Sequence, residues 1–239
     1  MSSTNQKNAL ITGAAKRIGR EIAMKLAKNG WNIAIHHNTS SPDEILAEIK
    51  SLGVEAISIQ ADLNNDAEVK KIFGEANAKL GEINLLVNNA SIFEKCPYQE
   101  TNNDIYERHM NINFKAPFFL SQDFAYQCSS NGQIINISDS KTTQNKSKHF
   151  IYLLSKKLLN ELTDMTAIDL APKIRVNAIC VGITELSEDN QEYLEKRLPQ
   201  LPLERKTKIS EITEAVLYLA NSDYLTGQKI YLDAGESLL

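Results

Sequence analysis

The chain has 239 residues, 26 lysines and arginines against 30 aspartates and glutamates, and a formal net charge of −4. That length suits one large domain and leaves little room for two. Charges are interspersed without a basic stripe, which argues against a nucleic-acid partner, and no apolar run approaches the ~20 residues of a membrane span.

The start, Met1-Ser-Ser-Thr-Asn-Gln-Lys7, lacks the apolar core of a signal peptide, so a cytoplasmic location is expected. From there short β-rich runs alternate with amphipathic segments, without a repeat, low-complexity tract or linker. Strands are expected at Asn8–Thr12, Asn32–His36, Ala56–Gln60, Asn84–Asn88, Gln133–Ser138, Arg175–Cys180 and Lys229–Leu232. Apolar residues at helical spacing fall in Ile18–Lys28, Asp43–Ser51, Asp66–Lys79, Asn103–Cys128, Ile151–Leu170 and Ser210–Ala220. Gly30 and Gly53 stand where the first two helices should stop. The alternation predicts an α/β fold, a single Rossmann-like doubly wound domain over residues 1–239, with about seven parallel strands flanked by helices. Right-handed crossovers place the carboxyl ends of the strands on one edge, where the site is expected. Cys96, Cys128 and Cys180 are odd in number and widely spaced, which fits packed thiols better than a disulfide framework or a metal site.

At the first strand end runs Thr12-Gly13-Ala14-Ala15-Lys16-Arg17-Ile18-Gly19. Gly13 suits a tight turn and Gly19 a close helix approach, while free N–H groups and the helix dipole favour a pyrophosphate. Taken alone, an ordinary strand-to-helix turn explains the motif equally well. The second strand ends in His36-His37-Asn38-Thr39-Ser40, without the acid that an NAD-preferring protein would set against the ribose. Arg17 is available to a 2′-phosphate, with His37, Asn38, Thr39 and Ser40 as hydrogen-bonding neighbours, so NADP is expected over NAD; the alternative is a polar loop without a ligand. Asp62, followed by Leu63, ends the third strand and either meets an adenine or caps the next helix.

Asn88-Asn89-Ala90-Ser91 offers small and amide side chains at the fourth strand end, and Phe93 follows as one wall for a flat heterocycle or as a core aromatic. Asn113 interrupts a long apolar helix and needs a partner, through a water chain toward Lys156 or at a local kink. Tyr152 and Lys156 stand at i, i+4 on one helix face, where an ammonium can stabilise a phenolate. Ile134-Ile-Asn-Ile-Ser138 delivers Asp139 to a strand end ahead of that tyrosine, as a partner of the phenol or merely as a loop cap. The charged stretch Thr184–Lys208 suits a substrate lid beginning near residue 183; within it Leu186, Tyr193 and Leu198 either touch substrate or pack the lid.

The glycine loop, Asp62, Asn88-Asn89-Ala90, Asn113, Tyr152 with Lys156, Arg175-Val-Asn177 and the closing Leu225-Thr-Gly-Gln-Lys-Ile-Tyr-Leu-Asp233-Ala-Gly235 fall in one order and spacing. Together they resemble the short-chain dehydrogenase/reductase family over nearly the whole chain. The resemblance implies NADP(H) held by Gly13, Arg17, Ile18, Gly19, His37, Asn38, Thr39, Ser40, Asp62, Leu63, Asn89, Ala90, Ser91, Tyr152, Lys156, Gly182 and Thr184. It also implies Asn113, Asp139, Tyr152 and Lys156 as the catalytic set, no metal, and a homotetramer paired through the two long helices, with a monomer as the alternative. Arg17 in the first loop, Phe93, and Asp139 in place of the usual serine resemble the pteridine reductases in particular. Ser147-Lys-His-Phe-Ile-Tyr152 is further similar to the bacterial dihydromonapterin reductases.

That similarity implies a pterin substrate touched by Arg17, Ser91, Phe93, Asp139 and Tyr152, and reduction of a dihydropterin by NADPH. A serine hydroxyl suits a ketone oxygen, whereas a C=N bond needs a proton at nitrogen, and a carboxyl group can relay protons or hydrogen-bond the N–H-rich heterocycle. Lys156 is expected to favour tyrosinate and hold the nicotinamide ribose, with Asp139 opposing ionisation in a coupled titration. Two departures bear on the cofactor: Cys180-Val181-Gly182 replaces the family's Pro-Gly, and Thr39 stands where pteridine reductases often have arginine. The competing functions are a short-chain carbonyl or 3-oxoacyl thioester reductase and a non-catalytic NADP-sensing protein. Missing serine argues against the first, and retained Asn113, Tyr152 and Lys156 against the second.

Overall fold

A computed structural model describes residues 7–129, 131–187 and 191–239. The stretch 1–6, read above for a targeting signal, and residues 188–190 of the expected lid lie outside the described residues. In chain order the first half holds β1 (Asn8–Ile11), α1 (Arg17–Ala27), β2 (Asn32–His37), α2 (Asp43–Ser51), β3 (Ala56–Gln60), α3 (Asp66–Val69), α4 (Ile72–Leu80) and β4 (Leu85–Asn88). Then follow α5 (Asn103–Met110), α6 (Ala116–Gln127), β5 (Gly132–Asp139), α7 (Phe150–Asp169), β6 (Ile174–Val181), α8 (Gln191–Arg197), α9 (Ile209–Asn221) and β7 (Lys229–Leu232).

Among the described residues the strands form one seven-stranded sheet in the order β3-β2-β1-β4-β5-β6-β7, and every pairing is parallel. Helices cover both faces, which is why the central strands read as continuous apolar runs. Ile22 and Leu26 of α1, Ile45 and Ile49 of α2, and Ile212 and Val216 of α9 bury one face. Ile72 and Phe73 of α4, Leu120 and Phe124 of α6, and Ala167 of α7 bury the other. The strand order reverses between β1 and β4, so the crevice beyond their carboxyl ends is where such a fold takes a ligand.

Gly30 and Gly53 adopt φ of +81° and +82°, as expected of residues that end α1 and α2 in the left-handed region. Two single-helix expectations are corrected. Asp66–Lys79 is two helices, α3 and α4, and Asn103–Cys128 is α5 and α6 joined by a π-helical turn over Asn111–Lys115. The wide turn lies where the buried amide of Asn113 makes its contacts, the place at which a local kink was one of the two expectations. Asn65 caps α3 by accepting from Ala67 N at 3.0 Å, whereas Asp62 Oδ1 accepts from Asn64 N at 2.9 Å; the capping alternative for Asp62 is set aside. Among the described residues no helix is long and apolar enough to cross a membrane.

Candidate active site

The glycine loop is clamped across the switch point by Thr12 and Asn89. Thr12 Oγ1 accepts from Asn89 N at 2.9 Å and Ala90 N at 3.0 Å, and Asn89 Nδ2 donates to Thr12 O at 2.8 Å and Gly13 O at 3.3 Å. Gly13 has φ +65°, and a Cβ there would stand 3.0 Å from Ala90 Cα. At Gly19 a Cβ would stand 2.4 Å from Gly13 O, so only glycine lets α1 approach this closely. That cradle fits a dinucleotide pyrophosphate, with Ile18 packed behind it against the core. Arg17 opens α1 at φ +55°, a left-handed conformation that usually selects glycine.

His36 turns out to hold this edge together. It is 2% exposed; Nδ1 accepts from Gly13 N at 3.2 Å and Nε2 donates to Ala61 O at 3.1 Å, while its own carbonyl accepts from Ala14 N at 3.0 Å. Burial pushes its pKa down to about 4, so the ring is neutral and bridges the glycine loop to the end of β3. Its neighbours Asn38 and Thr39 are exposed, and His37 and Ser40 half-exposed, at the rim where a 2′-phosphate was expected. Asp62 is half-buried and Leu63 buried on the same rim, beside a polar hollow of about 470 Å³ lined also by Asn64, Asn111 and Lys115.

The side chains expected to react meet at the end of β5. Tyr152 of α7 donates to Asp139 Oδ2 at 2.8 Å, while Asp139 Oδ1 accepts from Lys141 N at 2.8 Å. Both sequence readings of Asp139 therefore hold: it caps the 3₁₀ turn Ser140–Thr143 with one oxygen and takes the phenol with the other. Burial raises its pKa, against the Lys141 N–H and the Tyr152 hydroxyl, which lower it. Burial, then the adjacent Asp139, hold Tyr152 well above the usual phenol value. The arrangement favours the phenol over the tyrosinate expected from Lys156, in the direction expected of Asp139. Lys156 donates to Ile137 O at 2.9 Å, with its Nζ 5.9 Å from the Tyr152 ring centre. Its pKa falls to about 8 through burial, partly offset by Asp139.

Asn113 is fully buried and satisfied. Oδ1 accepts from Ile92 N at 2.9 Å and Ser91 Oγ at 3.2 Å; Nδ2 donates to Ile92 O at 3.0 Å and Ser155 Oγ at 3.2 Å. Ser155 in turn donates to Tyr152 O at 2.7 Å, so the π-helical turn, the Ser91 segment and the start of α7 are tied together. Sequence reasoning gave Ser155 no role, although its place between Tyr152 and Lys156 put it on the buried side of that helix.

Phe93 is 58% exposed at the cleft, stacked on His149 at 4.0 Å and 11° and set edge-on to Tyr152 at 4.6 Å. His149 thus joins Phe93 in an aromatic shelf, a partner that the sequence did not single out. Arg17 Nη2 donates to Leu186 O at 2.8 Å, joining the glycine loop to the lid. Thr184 is buried and its N–H donates to Ser187 Oγ at 2.9 Å. Val181, in the place of the expected proline, continues β6 in register with Asp139 and Leu232. Gly182 follows, where a Cβ would stand 2.8 Å from Asp233 Cα. Cys180 is buried with its thiol pushed up to about 11 by burial, which makes it unreactive.

A doubly wound sheet with a glycine cradle at its switch point and a Tyr–Lys pair beside it is the architecture of a dinucleotide-dependent oxidoreductase. The family model described as Enoyl-(Acyl carrier protein) reductase matches residues 13–237, and the chain belongs to this family of short-chain dehydrogenases/reductases. Among solved structures, FolM alternative dihydrofolate reductase 1 from Brucella canis, complexed with NADP, is 35% identical, with a TM-score of 0.91 over 98% of this chain and 95% of that one. Its counterpart from Brucella suis, also with NADP, is 34% identical, with a TM-score of 0.90 over 98% and 96%. Among curated proteins, the 3-oxoacyl-[acyl-carrier-protein] reductase FabG of Staphylococcus epidermidis is 31% identical over 96% of this chain and 98% of its own.

Proposed function

We propose that the protein uses NADPH to reduce a dihydropterin, such as dihydromonapterin, dihydrobiopterin or dihydrofolate, to its tetrahydro form. The observation that carries this reading is the 2.8 Å hydrogen bond from Tyr152 to a carboxylate, Asp139, at the position where a carbonyl reductase would offer a serine hydroxyl. NADPH supplies the hydride to the ring carbon of the C=N bond. The proton for the adjacent nitrogen comes from the Asp139–Tyr152 pair, joined by that hydrogen bond; burial raises both pKa values, and the phenol carries the proton. The exposed Phe93–His149 shelf suits a flat heterocycle, which Ser91 and Arg17 would also touch. Gly13, Ile18 and Gly19 hold the pyrophosphate; Asp62 and Leu63 the adenine; His37, Asn38, Thr39 and Ser40, with Arg17, the 2′-phosphate; Asn89, Ala90, Lys156, Gly182 and Thr184 the nicotinamide end. The similarity to two FolM proteins supports the pterin substrate.

A second reading, 3-oxoacyl thioester reduction, is favoured by the identity to FabG. Asp139 weighs against it, because a carboxylate beside a developing alkoxide opposes the charge that forms there. On the first reading, exposed Phe118 and Phe119 of α6 with Leu154, Met165 and Ile168 of α7 form the outer faces through which copies pair into a homotetramer. Initial rates of NADPH oxidation with dihydromonapterin, dihydrobiopterin and dihydrofolate, beside acetoacetyl thioester and repeated with NADH, test the assignment. A dihydropterin reduced with NADPH in preference to the thioester is expected; reduction of the thioester alone would overturn it.

A further inference from the structure

The proposed chemistry makes no use of one buried carboxylate. Glu236, in the closing turn of the chain, is 1% exposed. Arg197, the last residue of α8, donates to its Oε1 from Nε at 3.0 Å and from Nη2 at 2.5 Å. Ser140 Oγ donates to Oε2 at 3.4 Å, and Lys141 Nζ lies 4.0 Å from Oε1. A carboxylate at this depth is costly unless paired and hydrogen-bonded. Its partners come from two segments. The first is α8, whose Tyr193 hydroxyl also accepts from Lys141 Nζ at 3.3 Å. The second is the turn after Asp139: the Lys141 N–H holds Asp139 Oδ1, and Thr142 Oγ1 donates to Asp139 O at 2.8 Å.

We infer that Glu236 is a positioning residue, a single carboxylate that locks α8 and the Asp139-bearing turn in one arrangement and so sets the lid and the orientation of the proton donor together. It acts through Arg197, Ser140 and Lys141 and touches no reacting atom. The inference rests on Asp139 as a reacting group and is independent of which substrate is reduced. The geometry makes the two arms unequal. Glu236→Gln keeps the shape and removes the charge that holds both cations, whereas Arg197→Gln releases α8 and leaves Ser140 and Lys141 engaged.

The test has two readouts. With the substrate that the parent reduces fastest in the panel above, Glu236→Gln is expected to lower kcat roughly tenfold and raise KM severalfold, while the Kd for NADPH stays within about twofold. Arg197→Gln should raise KM severalfold and leave kcat within about twofold, and the double variant should be no worse than Glu236→Gln alone. Unchanged kcat and KM in Glu236→Gln, or additive effects in the double variant, would overturn the inference. If Glu236→Gln fails to fold, Arg197→Lys decides: KM restored toward the parent value supports the ion pair, and a defect equal to that of Arg197→Gln overturns it. The second readout needs no substrate: tryptic cleavage after Arg197 should be severalfold faster in Glu236→Gln than in the parent, and an unchanged rate would overturn the lock. A parent inactive on the whole panel but with this cleavage difference would sink the pterin reading and leave the lock standing.

Discussion

Gly19→Ala puts a methyl group where the structure leaves no room for one. Built on the present backbone, its Cβ stands 2.4 Å from Gly13 O, 2.5 Å from Asn89 Nδ2 and 3.0 Å from Ala14 Cα. Two of those three atoms belong to backbone, so relief requires α1 to lift from the loop or Asn89 to swing away. Swinging away forfeits the Asn89 bonds to Thr12 O and Gly13 O. Overpacking of this kind costs about 1–3 kcal/mol, and two lost hydrogen bonds about 1 kcal/mol each. The strain falls on the surface that should hold the pyrophosphate. If half of it appears in cofactor binding, the Kd for NADPH rises roughly ten- to a hundredfold. Titration of NADPH fluorescence beside a thermal melt separates the two effects. A variant that binds within twofold of the parent would refute the close-approach argument, whatever its melting temperature.

Other outcomes follow from the same geometry. Tyr152→Phe removes the donor to Asp139 Oδ2, so reduction should fall at least about a hundredfold with NADPH binding retained, as single-turnover rates and equilibrium titration would report. Lys156 titrates at about 8, below the ordinary lysine value, and is charged only below that pH; kcat should therefore fall as pH rises through about 8, and a flat profile to pH 9 would exclude a role for its charge. His36 binds a proton less readily folded than unfolded, so stability is complete above about pH 6.5 and is lost as pH falls toward 4. His36→Gln should flatten urea-derived stability across that window by up to about 1.4 kcal/mol per pH unit; an unaltered slope would mean another group titrates there.

The strands were legible almost to the residue, because burial on both faces writes continuous apolar runs that turn residues interrupt. Gly13 and Gly19 were legible for a different reason: a motif between strand and helix permits few other backbones. What the sequence hid depends on contacts across the fold. His36 looked like one of two histidines in a polar loop, yet it bonds Gly13 and Ala61, neither of them adjacent in sequence. Asn113 marked the place of the π-helical turn at Asn111–Lys115, but its bonds to Ile92 and Ser155, which give the reason for the turn, lie across the fold. Glu236 carries no local signal that Arg197 and Ser140 close over it. The expected lid holds a helix, α8, as anticipated, but the leucines it buries are Leu194 and Leu201, which its charged composition concealed.

On the proposed chemistry Asp139 and Tyr152 deliver the proton as a unit. A double-mutant cycle of Asp139→Asn, Tyr152→Phe and the combined variant, read as single-turnover NADPH oxidation with a dihydropterin, tests it most directly. Each single change should cost nearly as much as the pair, so that the effects are far from additive. Additive losses, or an Asp139→Asn enzyme that reduces the dihydropterin at the parent rate, would contradict it.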